Sequence, residues 1–177
     1  MIRLLRPALA IGLLSILTGC STVSDLVVTN IPDGHQGKPK IVVNLRKQTA
    51  TLFKGKAQIA ESRISAGREG HDTPVGRFHV LRKDEDHRSS VYGDYADRRG
   101  RVVTANVDTR KTARPPRAHF VGAPMPFFIE FSPGYGLHAG YLPGYPASHG
   151  CVRMPYWKAR QFYNTVKPGT PVIIQRG

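Results

Sequence analysis

Beyond residue 40 the apolar residues of this chain come in short runs that end at charged or glycine-containing breaks, and that interruption is what most limits its fold. Ile41, Val42, Val43 and Leu45 form one run, Thr49 to Phe53 a second and Ala57 to Ser65 a third, divided by Arg46 to Gln48 and by Lys54 to Lys56. Runs this short, bounded by turn residues, are strands, and close sequence neighbours of this kind pair antiparallel. An antiparallel meander is therefore expected over residues 40–67. Further strands are expected at Phe78 to Leu81, Val102 to Val103, Phe127 to Phe131, Gly136 to His138 and Val172 to Gln175, where β-branched and aromatic residues gather. One helix is readable. Pro155 suits a first helical position, Tyr156, Ala159, Tyr163 and Val166 fall on one face, and Pro168 and Gly169 stop it. Trp157 and Phe162 are expected to join the core. The fold class is mainly β, a sandwich or meander with one or more short helices.

At 177 residues the chain has room for one domain with a real core, and not comfortably for two. Its first residues read as an export signal, with Arg3 and Arg6 before an apolar stretch from Ala8 to Leu17 that is too short to span a bilayer. Leu17, Thr18, Gly19 and Cys20 resemble the lipobox of bacterial lipoproteins. That resemblance implies cleavage after residue 19 and acylation of Cys20, which would anchor the chain to a membrane. Ser21 stands where aspartate often marks inner-membrane retention, so the expected location is the periplasmic side of the cell envelope, at the outer membrane. The competing reading is an ordinary cleaved signal or membrane helix that merely ends in cysteine. Residues 20–39, broken by Pro32, Gly34, Gly37 and Pro39, read as a flexible tether. Residues 40–177 are the folded domain.

The chain has 26 Lys and Arg against 12 Asp and Glu. Such a charge suits nucleic acid, anionic lipid or an acidic polymer. Nucleic acid is set aside because an exported protein seldom meets it and the basic residues lack interleaved aromatic platforms. Cell-wall polymer and membrane surface remain, beside the plain alternative of a solvated basic surface. Between Arg82 and Arg117 lies a stretch crowded with Arg, Asp, Gly and Pro. It is too polar for core and too long for a turn, and is expected to be a surface excursion beside the site.

The chemistry gathers between Tyr135 and Met154, where His138 is followed by Gly140, Gly144 and then Ser148, His149, Gly150, Cys151, Val152, Arg153 and Met154. With Cys20 acylated, Cys151 has no disulfide partner in the chain, and a lone thiol in an oxidising compartment needs a reason. A thiol attacks a carbonyl as thiolate, so a catalytic cysteine needs a proton acceptor or a positive surrounding. Both His138 and His149 qualify. His149 shares a side with Cys151 if the segment is extended, whereas His138 must return across a loop, and spacing does not choose between them. The amides of Gly150 and Cys151 are expected to face a tetrahedral oxyanion together, and the dipole of the helix near Pro155 is expected to favour negative charge at Cys151 if its axis points there.

Ser148 to Met154, SHGCVRM, resembles the signature of the L,D-transpeptidase catalytic domain family, with His138 in the place of the family's upstream histidine. Thr73, Pro74 and Gly76 resemble its TPxG segment, Ile41 to Leu45 its opening strand and Ala123 to Phe131 its pre-catalytic strand. The resemblance covers roughly residues 40 to 175 and implies a single catalytic domain. It departs from many members at Ala139, where they have glycine, and in a shorter loop from His138 to Cys151. It implies that Cys151 is the nucleophile and His138 its proton acceptor, oriented by a neighbouring carbonyl. Ser148, His149, Gly150 and Arg153 would shape the oxyanion hole and substrate cleft. The implied substrate is a peptidoglycan tetrapeptide stem, attacked before its terminal D-residue. The acyl group then passes to another stem in a 3-3 cross-link, to a wall-attached protein or to water. No cofactor or metal is implied.

Four other readings compete. Cys151 can be read as plain core, as a redox thiol, or with His138, His149 and His71 or His79 as a zinc ligand. Against these stand the polar neighbours of Cys151, the lack of a resolving cysteine and the lack of a paired CxxC or HExxH pattern. The fourth is a non-catalytic lipoprotein that grips peptidoglycan through the same cleft. Arg153 reads equally well as a salt-bridge partner, and Thr73, Pro74 and Gly76 as a turn into the strand at Phe78.

Overall fold

The alternation that a strand imposes on its side chains runs through the first three apolar runs. β1 (Pro39–Asn44), β2 (Thr49–Lys54) and β3 (Ala57–Arg63) bury Ile41 and Val43, Ala50 and Leu52, and Ala60 and Ser62, with the residues between them left more open. Each strand thus offers one apolar face. The three pair antiparallel as the expected meander, with Ile41 opposite Leu52 and Leu52 opposite Ala60. These are the first elements of a computed structural model that describes residues 37–177. The leader, Cys20 and most of the tether lie outside the described residues. Among the described residues no helix is long and apolar enough to cross a membrane.

The chain continues through β4 (Gly76–His79), β5 (Arg82–Asp84), β6 (Arg88–Ala96), β7 (Val102–Asp108), β8 (His119–Pro124), β9 (Phe128–Ser132), β10 (Tyr135–Ala139), β11 (Val152–Met154), α1 (Tyr156–Thr165) and β12 (Pro171–Gln175). They form a five-stranded sheet in the order β3-β2-β1-β12-β4, a four-stranded sheet in the order β11-β10-β9-β5 and a three-stranded sheet in the order β7-β6-β8. The fold is mainly β. One core joins the first two sheets to α1: Ile41, Leu52 and Ile174 from one side meet Ile129, Phe131, Leu137, Val152 and Met154 from the other, with Phe162.

In the four-stranded sheet this core fixes the direction of every second residue. Ile129 and Phe131, Leu137 and Ala139, and Val152 and Met154 enter the core, so Phe128, Glu130, His138 and Arg153 turn to the opposite face and line a cavity. β10 and β11 run parallel with His138 beside Arg153, and Gly136 stands opposite Glu130 on β9. The sheet therefore places its polar residues by burying its apolar ones.

Several elements escape the sequence reading. β5, β6, β8 and β11 have no strand signal, and the excursion from Arg82 is in large part an ordered sheet. It has a small core of Tyr95, Ala96 and Val107. Gly93 and Gly122 let β6 and β8 approach closely, since a Cβ at Gly122 would meet the Ser89 carbonyl oxygen at 2.0 Å. Ala159, Phe162 and Val166 are buried as expected, but Trp157 is 66% exposed and Tyr156, of the expected face, is 57% exposed. The helix spans only Tyr156–Thr165, and with 3.6 residues per turn Trp157 lies well round its axis from both Ala159 and Phe162. Pro155, with φ −56° and ψ 143°, is the extended residue before the helix and not its first turn.

Phe162→Ala should destabilise the domain by about 3–5 kcal/mol, the range for emptying a packed aromatic site. Trp157→Ala should cost less than about 1 kcal/mol, as for most surface changes. Equilibrium urea denaturation of the two variants measures the difference, and equal losses would contradict this placement of the helix.

Candidate active site

The loop before β11 is held to the body by a polar staple. Ser65 and Arg153 exchange backbone hydrogen bonds at 3.0 Å each, and Ser148 N–H donates to the Ala66 carbonyl at 3.0 Å. Thr73 is buried; its hydroxyl donates to the Gly150 carbonyl at 2.7 Å and accepts the Gly67 N–H at 2.9 Å. Ser148 Oγ accepts the Gly150 N–H at 3.0 Å and donates to the Cys151 carbonyl. Gly150 has φ +111°, and a Cβ there would stand 2.6 Å from the Tyr135 ring. Only glycine fits on both counts.

This conformation revises three expectations. The segment from His149 to Cys151 is bent, so His149 and Cys151 do not share a strand face. The Gly150 amide is spent on Ser148 Oγ, which leaves the Cys151 N–H as the member of the expected pair without a hydrogen bond among the described residues. The helix dipole is also remote. Three extended residues and Pro155 separate Cys151 from α1, on the order of 13 Å at about 3.3 Å per residue, and a helix terminus acts mainly within its first turn.

Cys151 is half-buried at the cavity wall, with Sγ 3.7 Å from the Gly134 carbonyl oxygen. Burial pushes its thiol pKa up, against the pull of the Gly136 amide and the Arg153 charge. His138 is buried at the same wall. Its Nδ1 lies 2.8 Å from the Ala139 carbonyl oxygen. A carbonyl only accepts, so Nδ1 carries the proton and Nε2 of the neutral ring keeps its lone pair. Burial first, then the Arg153 and His87 charges, pull the His138 pKa down to about 4. Both shifts favour the uncharged thiol and the uncharged imidazole. Arg153 is half-buried, and its stem lies where a Cβ on Gly140 would stand, 3.1 Å from Cγ.

His149 is held differently. Arg68 Nη2 stands 2.9 Å from its Nε2, and since a guanidinium only donates, that lone pair is taken. Its ring stacks on Tyr92 from β6 at 4.0 Å and meets His71 edge-on at 4.8 Å. Burial and the Arg68 charge lower its pKa to about 4. The geometry therefore separates the two histidines that spacing left level, because only His138 keeps a ring nitrogen free to accept a proton.

The residue types, the shared cavity and the fold coincide with one sequence family. The family model for the L,D-transpeptidase catalytic domain matches residues 38–174. The chain belongs to this family. Solved structures with the same fold include an L,D-transpeptidase from Mycobacterium smegmatis, 19% identical, covering 78% of this chain and 59% of that one with a TM-score of 0.58. An Enterococcus faecium L,D-transpeptidase is 23% identical, covering 79% and 50% at 0.58, and one from Xylanimonas cellulosilytica is 21% identical, covering 79% and 61% at 0.57. The chain thus spans about half to three fifths of these proteins. No curated protein matches it.

Within this family domain the cavity measures about 570 Å³ and brings together Cys151, His138, Ser148, His149 and Arg153. Thr73 is not on that lining and acts on the loop from behind, which gives the TPxG segment a role beyond a turn. Among the described residues no three side chains of His, Cys, Asp or Glu are grouped as metal ligands, and His79 lies exposed on β4. Tyr92 and Glu130 are among the lining residues that went unnamed in the sequence. Tyr92 sits in the polar excursion and gave no signal. Glu130 gave one, as the charge inside the apolar run Phe127 to Phe131. It is paired with Arg82 Nε at 2.5 Å and accepts the Gly134 N–H at 3.0 Å, bracing the turn beside Cys151.

A thiol pKa raised by burial sets the expected pH response of Cys151. Below that pKa the thiolate fraction grows about tenfold per pH unit. The iodoacetamide rate at Cys151 should rise with that slope from roughly pH 6 past the ordinary thiol range, about 8.5. A plateau already reached at neutral pH would mean a resting thiolate–imidazolium pair and overturn this account.

Proposed function

We propose that this chain is a peptidoglycan L,D-transpeptidase that works through a thioester on Cys151. The observation that carries the reading is the His138 geometry, in which the Ala139 carbonyl holds Nδ1–H and leaves Nε2 as a proton acceptor at the wall it shares with Cys151. When a tetrapeptide stem enters, His138 Nε2 takes the thiol proton as Sγ attacks the carbonyl before the terminal D-residue. A neutral pair suits this, since the proton moves with the attack and no charge separation has to be maintained in a buried site beforehand. The Cys151 N–H faces the developing oxyanion and the nearby Arg153 charge favours it. The tetrahedral species collapses, the carbon–nitrogen bond breaks and the D-alanine amine leaves with the proton from His138. An amine of a second stem, or of a wall-attached protein, then attacks the thioester, gives its proton to His138 and regenerates the thiol as the new amide forms. Water in that place gives a trimmed stem.

Cys151→Ala should abolish turnover while leaving the fold intact, because the side chain is small and half-exposed. Mass spectrometry of wild type and variant with disaccharide-tetrapeptide reads the outcome directly: cross-linked dimers from wild type alone support transpeptidation, and tripeptide alone redirects the reading to a carboxypeptidase. Dimer formation by the variant would end the proposal. A variant that still holds sacculi, from a wild type without turnover or acyl adduct, favours the non-catalytic binder.

The leader supports a second part of the reading, that the chain is exported and anchored to the outer membrane through acylated Cys20. Replacing residues 1–20 by an ordinary cleavable export signal without a cysteine should move the protein from the membrane to the soluble periplasmic fraction. A mature N-terminus other than Cys20 in wild type would count against it.

A further inference from the structure

At the far end of β6 from the catalytic cavity lies a second cleft of about 260 Å³. It is enclosed by the Asp97–Arg101 turn and the segment that leads into β8, and its rim carries Arg98, Arg99, Arg101 and Arg117. All four arginines are exposed. The one carboxylate at the rim is already engaged: Asp97 pairs with Arg101 at 2.8 Å and accepts the backbone N–H groups of Arg99 and Arg101 at 2.8 and 3.0 Å. Those bonds hold its carboxyl below the ordinary range. Arg98, Arg99 and Arg117 have no salt-bridge partner among the described residues.

The two walls are stiff. The Asp97 turn is closed from both sides, by Asp97 N–H to the Arg101 carbonyl at 2.9 Å and Gly100 N–H to the Asp97 carbonyl at 3.0 Å. Opposite it, Pro115 and Pro116 fix two backbone angles, and Arg117 takes φ +63°, a left-handed conformation that non-glycine residues rarely adopt. Arg98, Arg99 and Arg117 line one cleft, and like charges within a Debye length, about 8 Å at physiological salt, repel each other. A bound anion removes that repulsion. The guanidinium fork fits carboxylate and phosphate alike, but the number of charges separates the two, because a carboxylate brings one negative charge and a phosphate monoester about 1.5 to 2.

We propose that this cleft binds a phosphate group, with Arg98, Arg99 and Arg117 as its ligands and Arg101 held at the rim by Asp97. The site gives the polar excursion a function of its own and involves no residue of the catalytic cavity. Its phosphate ester belongs either to a soluble polymer or to a lipid headgroup, and the same recognition serves both.

Isothermal titration calorimetry of the full chain in detergent with inorganic pyrophosphate tests the site. We expect one equivalent to bind, at least tenfold more weakly in R98Q/R99Q/R117Q and several-fold more weakly in R117G. Glycine accepts the backbone angle at that position, so the second variant should retain the fold. The control K47Q/K56Q/R160Q removes three exposed cations elsewhere and should bind as wild type does. Absence of binding, or equal loss in the control, overturns the proposal. Where binding holds, co-sedimentation with phosphatidic acid vesicles and titration with dextran phosphate separate the sources: loss in R98Q/R99Q/R117Q on vesicles alone assigns a lipid headgroup, and on the polymer alone a soluble phosphomonoester.

Discussion

The pairing of β10 with β11 sets the geometry on which the rest of the site depends. Leu137 lies beside Val152, His138 beside Arg153 and Ala139 beside Met154. Leu137, Val152 and Met154 are fully buried, and each is worth roughly 1.5–3 kcal/mol to the folded state by its removal from water. A slip of one residue would put that apolar set into the cavity and the histidine and arginine into the core. The hydrophobic effect thus fixes which way His138 and Arg153 face, although neither takes part in it. The same alternation on β9 turns Phe128 and Glu130 to the cavity while Ile129 and Phe131 hold the strand in place.

Cys151 is positioned by other means, since it precedes β11 and has no strand to orient it. Polar contacts replace apolar ones: Thr73 holds the Gly150 carbonyl, Ser148 Oγ takes the Gly150 amide, and Ser65 is bonded across to Arg153. These groups are buried, and leaving one unmade costs about 1–3 kcal/mol, so the loop is confined to one arrangement. Gly150 completes it by admitting a backbone angle and a contact with Tyr135 that no side chain permits. The histidine is therefore set by the core and the thiol by a hydrogen-bonded loop. Both face one cavity, where burial disfavours the charged form of each.

The parts of this arrangement that were legible in the sequence are those with a local signature. The meander from Ile41, the helix face at Ala159 and Phe162 and the SHGCVRM segment each carry a pattern short enough to read directly. What failed to show depends on partners distant in the chain. β11 is three residues long and is a strand only because β10 lies beside it. β6 and β8 are polar because the sheet they form with β7 buries few side chains, so the alternation that reveals a strand is weak. The spacing could not separate His138 from His149 for the same reason, because His149 is engaged by Arg68, far from it in the chain. The expected oxyanion pair failed on a hydrogen bond from Gly150 to a serine only two residues away, a local event that residue identities do not encode.

Tyr92 joins the excursion to the chemistry. Its ring lies on His149, its hydroxyl accepts from Arg110, and Arg110 is itself held by Asp108. A stack of this kind contributes about 0.5–1.5 kcal/mol beyond the area it buries, far less than the core behind β10 and β11. The cavity accordingly has two unequal walls. One carries Cys151, His138 and Arg153 and is backed by the core of the domain. The other, from Ser89 to Tyr92 and Ala123 to Met125, belongs to a separate sheet with its own small core. A change in that second wall can therefore reshape the cleft beside Cys151 without touching the strands that orient His138 and Arg153. The division leaves one side of the cleft to a sheet that the main core does not constrain.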